Sequence, residues 1–113
     1  MEDLIDVNDA MSRLGCNKKL YITILKKFDG KAMLEDLLKK IEIGDSAAAA
    51  AQAHTIKGLA ANLSLKDLRV KAEKIELKIK SGEKDIKDID TFEIDRSLNQ
   101  TVEAVNEWIE QNK

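Results

Sequence analysis

Residues 46–63 read SAAAAAQAHTIKGLAANL and carry the most regular apolar pattern of the chain. Apolar residues recur there at alternating steps of four and three, namely Ala49, Ala53, Ile56, Ala60 and Leu63. This spacing aligns them along one side of an α-helix. Asp45 or Ser46 can cap the first turn. The stretch therefore predicts a long helix with one buried seam, which begins just after a turn at Gly44.

The rest of the sequence divides into further segments of helical length at three breaks that contain glycine, residues 14–17, 43–46 and 80–83. Glycine is the usual residue just past a helix end. The apolar seams of these segments are Val7, Met11 and Leu14; Tyr21, Ile24, Leu25 and Phe28; Leu34, Leu37, Leu38 and Ile41; Leu65, Leu68, Ala72, Ile75 and Ile79; and Ile94, Leu98, Val102, Val105 and Ile109, with Trp108 alongside. Each seam predicts a helix that buries one face.

Three features between the seams predict where helices break and begin. The seams before and after residues 29–30 are out of phase, which predicts a kink or break there. Ser64, with Asp67 three residues later, is predicted to cap the helix that follows residues 46–63. Asp90 and Glu93 predict the same arrangement at the start of the last helix. The connection at Ser64 is short, so the two helices that it joins are predicted to be antiparallel.

The composition favours helices throughout the chain. Its 113 residues include 12 alanines and no proline, and only 4% are aromatic. Alanine is the best helix former and proline the strongest helix breaker, while a low aromatic content argues against a β-sandwich. We therefore expect one all-α domain over residues 1–113, an antiparallel four-helix bundle with a short additional N-terminal helix.

Charge and cysteine content limit the partners and the compartment. The 21 acidic and 19 basic residues give a formal net charge of -2, too weak a field to favour nucleic acid or an anionic membrane. Cys16 has no second cysteine for an internal disulfide, and no N-terminal run looks like a signal peptide or a membrane span. A reducing cytoplasm is the compartment that we expect.

The single histidine, His54, projects about 140° away from the buried seam of its helix and should face solvent. Its neighbours on that face all lack bulk: Ala47, Ala50, Ala51, Gly58 and Ala61. An exposed helix face normally carries long polar side chains, and a mid-helix glycine costs about 1 kcal/mol relative to alanine. We therefore expect this bare surface, with Ala50, Ala51, Gly58 and Ala61, to dock another macromolecule.

An exposed imidazole on this surface suggests phosphoryl chemistry. Neutral imidazole is a nucleophile near physiological pH, and a phosphoryl group on its nitrogen stays reactive enough to be passed on. Lys57, at the edge of the face, would offset the added negative charge. The sequence holds no Gly-rich phosphate loop, no His or Cys cluster for a metal and no Ser/His/Asp set. A partner must therefore bring the metal and the catalytic carboxylates.

Residues 53–58, AHTIKG, followed by Leu63 and Leu68, closely resemble the signature of histidine phosphotransfer (HPt) domains. The resemblance spans nearly the whole chain, because Leu14-Gly15, Tyr21, Leu25 and Phe28 are similar to the early helices of that family and Gly44-Asp45 to its turn before the histidine. Where the family often has a second glycine after the signature, this sequence has Asn62-Leu63-Ser64. This difference from the family pattern affects only how the helix over residues 46–63 ends.

The resemblance implies specific roles for four residues. His54 would accept the phosphoryl group, Lys57 would lie near the phosphate, and Gly58 would leave the gap that admits a receiver domain. Glu76 matches a polar position on the following helix that hydrogen-bonds the other ring nitrogen of the histidine. At the rise of an α-helix, His54 lies about 15 Å and Glu76 about 18 Å from the turn between their helices. The two residues are therefore at similar heights along the helix pair.

By this resemblance we expect a phosphorelay carrier of two-component signalling. His54 would take a phosphoryl group from a receiver-domain aspartate, or from a histidine kinase, and pass it to the aspartate of a response regulator. The partners would be receiver domains of response regulators and hybrid kinases, which would supply Mg²⁺. The protein itself would be a monomer without a cofactor or metal, and it would have no catalytic turnover of its own.

Other interpretations remain open from the sequence. A lone histidine on a helix is most often an ordinary surface residue, and the chain would then be a helical adaptor with the same fold that does not use His54 chemically. Residues 47–51 would equally suit a close contact with another element, such as the N-terminal helix, which would leave His54 partly buried. A phosphohistidine phosphatase or metal hydrolase is the weakest alternative, because the further catalytic groups it requires are not found.

Overall fold

The computed structural model describes residues 4–15 and 17–113, and within them the secondary structure is entirely helical. The six α-helices are α1 (Val7–Arg13), α2 (Lys18–Lys27), α3 (Gly30–Glu42), α4 (Ser46–Asn62), α5 (Lys66–Ser81) and α6 (Phe92–Asn112). A short 3₁₀ helix, Ile86–Asp88, lies in the connection before α6. None of the helices in these two ranges is long and apolar enough to cross a membrane.

Helices α3 to α6 form the predicted four-helix bundle. Helix α4 packs between α3 and α5, and α6 closes the ring by packing against the same two helices. The molecule as a whole is elongated, with extents of 43 × 21 × 20 Å. The α3–α4 and α4–α5 connections have only three residues each, so these neighbours run antiparallel. The all-α bundle predicted from the sequence is confirmed.

The buried core follows the predicted seams. Every seam residue of α4 and α5 is buried: Ala49, Ala53, Ile56, Ala60, Leu63, Leu65, Leu68, Ala72, Ile75 and Ile79. The more extensive of the α4 contacts is with α5, because three alanines in the α4 seam let the two backbones approach closely. Partly buried seam residues in the other helices pack against the edge of the core: Val7, Met11, Leu14, Ile24, Phe28, Leu38, Val102 and Trp108. The predicted seam of α1 was wrong in this respect, because the residue that α1 buries is Ala10.

The predicted discontinuity at residues 29–30 is a complete break between two helices. Phe28 has an extended backbone, with φ -75° and ψ 104°, so it cannot continue α2. Asp29 then caps α3, since its Oδ1 accepts the Ala32 N–H at 3.2 Å. Two short helices, α1 and α2, therefore precede the bundle. The break predicted at residues 14–17 includes Cys16, which lies outside the described residues.

The α4–α5 turn anchors both short helices. The Tyr21 hydroxyl of α2 donates to the Leu63 carbonyl at 2.7 Å, and the Tyr21 ring packs at 5.3 Å, centroid to centroid, on Trp108 of α6. The Asp6 N–H donates to the Ser64 carbonyl at 2.9 Å, just before α1. Burial raises the pKa of the Tyr21 hydroxyl, so that group remains a donor.

Ser64 does not cap α5, and that prediction was wrong. Ser64 has φ 59°, a left-handed conformation, and Leu65 takes the cap position without a side-chain hydrogen bond. The Ser64 hydroxyl instead donates to Asp9 Oδ2 at 2.6 Å. Asp67 accepts the Ser97 hydroxyl of α6 at 2.6 Å. Tertiary partners have thus replaced the local capping pair.

The capping pair predicted at the start of α6 is also wrong. Helix α6 begins at Phe92, one residue later than a cap at Asp90 requires, and Thr91 takes the cap position. Asp90 Oδ1 does accept the Phe92 N–H at 2.9 Å, but Glu93 contacts Lys74 of α5 at 3.1 Å instead of turning back to the helix start. The first turn of α6 is therefore tied to α5.

Two helical glycines differ sharply in the space around them, which gives a matched stability test. A Cβ at Gly30 would meet Val102 Cγ2 at 2.8 Å and Phe28 Cζ at 3.0 Å, whereas a Cβ at Gly58 would have no neighbour within 4 Å. We expect Gly30→Ala to lower the free energy of unfolding by about 1–3 kcal/mol through overpacking. Gly58→Ala should raise it by up to about 1 kcal/mol through helix propensity.

Urea denaturation followed by circular dichroism measures both variants. A Gly30→Ala protein as stable as the wild type would show that α3 and α6 are not in close contact at this point.

Candidate functional site

His54 lies on the outward face of α4, and 66% of its side chain is exposed. Ala47, Ala51 and Gly58 on the same face are exposed, and Ala50 and Ala61 are partly buried. The alternative in which another element covers this face and partly buries His54 is therefore wrong. The neighbours of the imidazole on this face of α4 are therefore small residues.

Gly58 lies one helical turn after His54 and leaves that side of the imidazole clear. Nothing lies within 4 Å of the position that a Cβ would occupy, so packing inside the molecule does not require glycine there. Since glycine in the middle of a helix costs stability, the open space next to His54 is the feature that the residue provides.

Glu76 is a charged side chain inside the bundle, with only 3% of its surface exposed. It lies on α5 next to the buried Ile75, between Ala72 and Ile79 of the seam. Its Oε2 is 3.1 Å from Nδ1 of His54. The structure thus brings together the two residues that the sequence placed at similar levels on neighbouring helices.

Two lysines complete the contacts of the Glu76 carboxylate. Nζ of Lys57, on α4, lies 3.0 Å from Oε1, and Nζ of Lys80, on α5, lies 2.9 Å from Oε2. Lys57 was predicted as a neighbour of the phosphate, but its contact with Glu76 was not predicted. Lys80 was missed altogether. Its position four residues after Glu76 is a signal for an ion pair on a helix, and only the burial of Glu76 gives that pair importance.

The three donors decide the charge of Glu76. Lys80, then Lys57 and His54, hydrogen-bond its carboxylate and together lower the pKa of Glu76 to about 2, against the opposing effect of burial. The carboxylate is therefore ionised at neutral pH and can only accept hydrogen bonds. Nδ1 of His54 must then be the protonated ring nitrogen, and in the neutral ring Nε2 keeps its lone pair.

A groove runs beside His54 between the first half of α4 and the last half of α5. Its sides include Ala47, Ala51, Thr55, Ile79 and Lys80. The groove joins the bare face of α4 to the ion-pair cluster, so a molecule that contacts the alanines also reaches the imidazole. Within residues 4–15 and 17–113, no group of three or more His, Cys, Asp or Glu side chains is arranged to hold a metal ion.

Comparison with known proteins agrees with this architecture. The family model described as "Hpt domain" matches residues 29–108, which include α3, α4, α5 and most of α6. A crystal structure of the HPT domain from an Hpt sensor hybrid histidine kinase of Shewanella superposes with a TM-score of 0.84. The alignment covers 98% of this chain and 97% of that one at 15% sequence identity, a level that shows the fold alone. A comparison with curated proteins found no match.

The family match covers well over half of the chain, and the segment it covers includes the exposed histidine, the buried carboxylate and both lysines. The family resemblance drawn from residues 53–58 is confirmed. The chain belongs to the Hpt domain family, the phosphotransfer carriers of two-component signalling.

Proposed function

We propose that this protein carries a phosphoryl group on Nε2 of His54, accepts it from the aspartyl phosphate of a receiver domain and returns it to the aspartate of another. The observation that carries the proposal is the exposed imidazole whose Nδ1 is held by a buried, ionised carboxylate. This arrangement leaves one ring nitrogen free as a nucleophile and points it away from the bundle.

The transfer step balances without a proton leaving the ring. The Nε2 lone pair attacks phosphorus, the new N–P bond forms, and the O–P bond of the aspartyl phosphate breaks to release a carboxylate. The proton on Nδ1 stays where it is, so the product is an N-phosphorylated imidazolium. That cation is a good leaving group, and the reverse attack by a second carboxylate regenerates neutral His54.

Glu76 and Lys57 support the two sides of this step. The Glu76 carboxylate fixes the tautomer of His54 and stabilises the positive charge that the ring acquires. Lys57 balances Glu76 from Oε1, and its ammonium adds positive charge close to where the phosphoryl group arrives. Both residues act on His54 without forming a bond to the phosphoryl group.

The receiver domain would dock on the bare face of α4. Ala50, Ala51 and Ala61 with Gly58 offer a surface that a partner's backbone can approach closely, which brings its aspartate in line with Nε2. In this proposal the receiver contributes the Mg²⁺ ion and the carboxylates that hold it. The protein works as a monomer in the cytoplasm and serves as a carrier, with turnover provided by its partners.

His54→Gln tests the phosphoryl acceptor. The purified protein is incubated with a phosphorylated receiver domain and Mg²⁺, and acid-labile, alkali-stable label is measured. We expect stable label on the wild type and only background on His54→Gln, because the amide has no nucleophilic nitrogen. Equal labelling of both proteins would contradict the proposal and favour an adaptor that does not use His54.

Gly58→Arg tests the docking surface. The added side chain should reduce the rate of transfer from the receiver by about 100-fold, because a partner displaced by even an ångström loses alignment with Nε2. Labelling by the small donor phosphoramidate should be unchanged, since a small molecule needs no docking face. Gly58→Ala, which adds a single methyl group, is the matched control. If Gly58→Arg accepts the phosphoryl group from the receiver at the wild-type rate, docking does not use this face.

Glu76→Gln tests the carboxylate. The amide oxygen still accepts from Nδ1, but the negative charge that stabilises the phosphorylated imidazolium is gone. We expect transfer from the receiver to be about fivefold slower, since a charge-assisted hydrogen bond exceeds a neutral one by roughly 1 kcal/mol. Glu73→Gln, on the exposed side of the same helix, is the control and should transfer at the wild-type rate. Equal rates for the two variants would exclude a role for the Glu76 charge.

A further inference from the structure

Lys80 contacts the same carboxylate oxygen as the imidazole. Its Nζ lies 2.9 Å from Glu76 Oε2, and Nδ1 of His54 lies 3.1 Å from that atom. The two nitrogens are therefore no more than 6.0 Å apart. Lys57 contacts the other oxygen, Oε1, at 3.0 Å. The two lysines thus differ in which side of the carboxylate they occupy.

The two lysines also differ in their freedom to move. The Lys80 side chain is 60% exposed and lines the groove beside His54, whereas that of Lys57 is 29% exposed. A lysine ammonium on a flexible four-carbon stem can exchange partners with little change in the rest of the residue. Lys80 is therefore freer than Lys57 to leave Glu76, and it lines the same groove as the imidazole.

Phosphorylation of His54 would change the charges of the groups that contact Oε2 of Glu76. Before transfer, Oε2 accepts one hydrogen bond from a neutral ring and one from an ammonium group. After transfer through Nε2 the ring is a cation, so two positive charges would meet at one oxygen and repel each other. The phosphoryl group at the same time adds negatively charged oxygens to an imidazole whose Nδ1 lies no more than 6.0 Å from Nζ of Lys80. Within reach of the flexible lysine stem, these oxygens are a stronger partner for an ammonium.

We propose that Lys80 is a phosphate-binding residue of the phosphorylated state: it leaves Oε2 of Glu76 when His54 is phosphorylated and pairs with the phosphoryl oxygens, while Lys57 remains on Oε1. This inference rests on the proposed phosphorylation of His54. No covalent bond to Lys80 forms or breaks, and the ammonium keeps its three protons. After this movement of Lys80, which we call the hand-over, Oε2 of Glu76 contacts the imidazolium alone. The Lys80 ammonium then supplies a positive charge next to the phosphoryl group.

Phosphorus NMR on the intact protein tests the hand-over. His54 is phosphorylated with phosphoramidate, and the ³¹P chemical shift of the phosphohistidine is followed as a function of pH. Three variants accompany the wild type: Lys80→Gln, Lys80→Arg and Lys78→Gln. Lys78 is exposed on the same helix, and its substitution removes the same charge two residues away.

We expect the ³¹P titration midpoint of Lys80→Gln to lie about half a pH unit above that of the wild type, because a nearby cation favours the fully ionised phosphoryl group. Lys80→Arg should restore the wild-type midpoint, and Lys78→Gln should leave it unchanged. The shift in Lys80→Gln should shrink at high salt, as expected for a partly exposed ion pair.

Three other outcomes would contradict the inference. Identical midpoints for Lys80→Gln and Lys78→Gln, with normal labelling of both, would show that Lys80 stays on Glu76, and the proposed function would stand without it. A midpoint that moves in Lys57→Gln but not in Lys80→Gln would assign the phosphoryl contact to Lys57. Failure of the wild type to label at His54 with either phosphoramidate or a receiver would overturn the proposed function and this inference together.

Discussion

The Glu76 carboxylate is ionised although neighbouring side chains cover it almost completely, and a covered charge is costly unless it is paired and hydrogen-bonded. Its partners come from two helices: His54 and Lys57 from α4, and Lys80 from α5 itself. The carboxylate is therefore stable only when α4 and α5 keep one relative height and rotation. That requirement fixes the tautomer of the histidine and the position of the imidazole on the surface.

The side chains of α4 make this geometry possible. Alanines in its seam bring the α4 backbone close to α5. The side chains of His54 and Glu76 are therefore long enough to form a hydrogen bond between the two helices. Small residues recur on its outer face, where Ala47, Ala51 and Gly58 leave the imidazole accessible. The outer face of α4 thus lacks the charged residues of an ordinary amphipathic helix. Packing against the core and the contacts of Glu76 hold α4 in the bundle.

Local patterns predicted most of the fold. The α4 and α5 seams are buried as their spacing indicated, and Asp45 caps α4 through the Ala48 N–H because nothing else competes for its side chain. Prediction failed where a distant residue offered a better partner. The Ser64 hydroxyl is bound by Asp9, 55 residues earlier, and Asp67 by Ser97, 30 residues later. No local rule contains those contacts, so the predicted capping pair could not form.

In the candidate site, too, local pattern predicts some features and only tertiary packing shows the others. The exposure of His54 follows from helical rotation alone, whereas the importance of Lys80 depends on a charge being buried one turn before it. Glu76 stands among alternating lysines and glutamates that look like a solvated face in the sequence, and only the packing of α4 over α5 shows that this glutamate is inside.

The charges of the cluster explain why one glutamate has two lysines. Before transfer, one carboxylate and two ammonium groups surround a neutral ring, which leaves a surplus of one positive charge to attract a phosphoryl group. In the proposed transfer the ring would gain one positive charge and the fully ionised phosphoryl group would bring two negative charges, so the cluster would become neutral. With a single lysine the proposed phosphorylated site would carry a net charge of -1 instead. In the proposed function, near neutrality of the phosphorylated site would balance acceptance against release of the phosphoryl group, which is the property that a carrier requires.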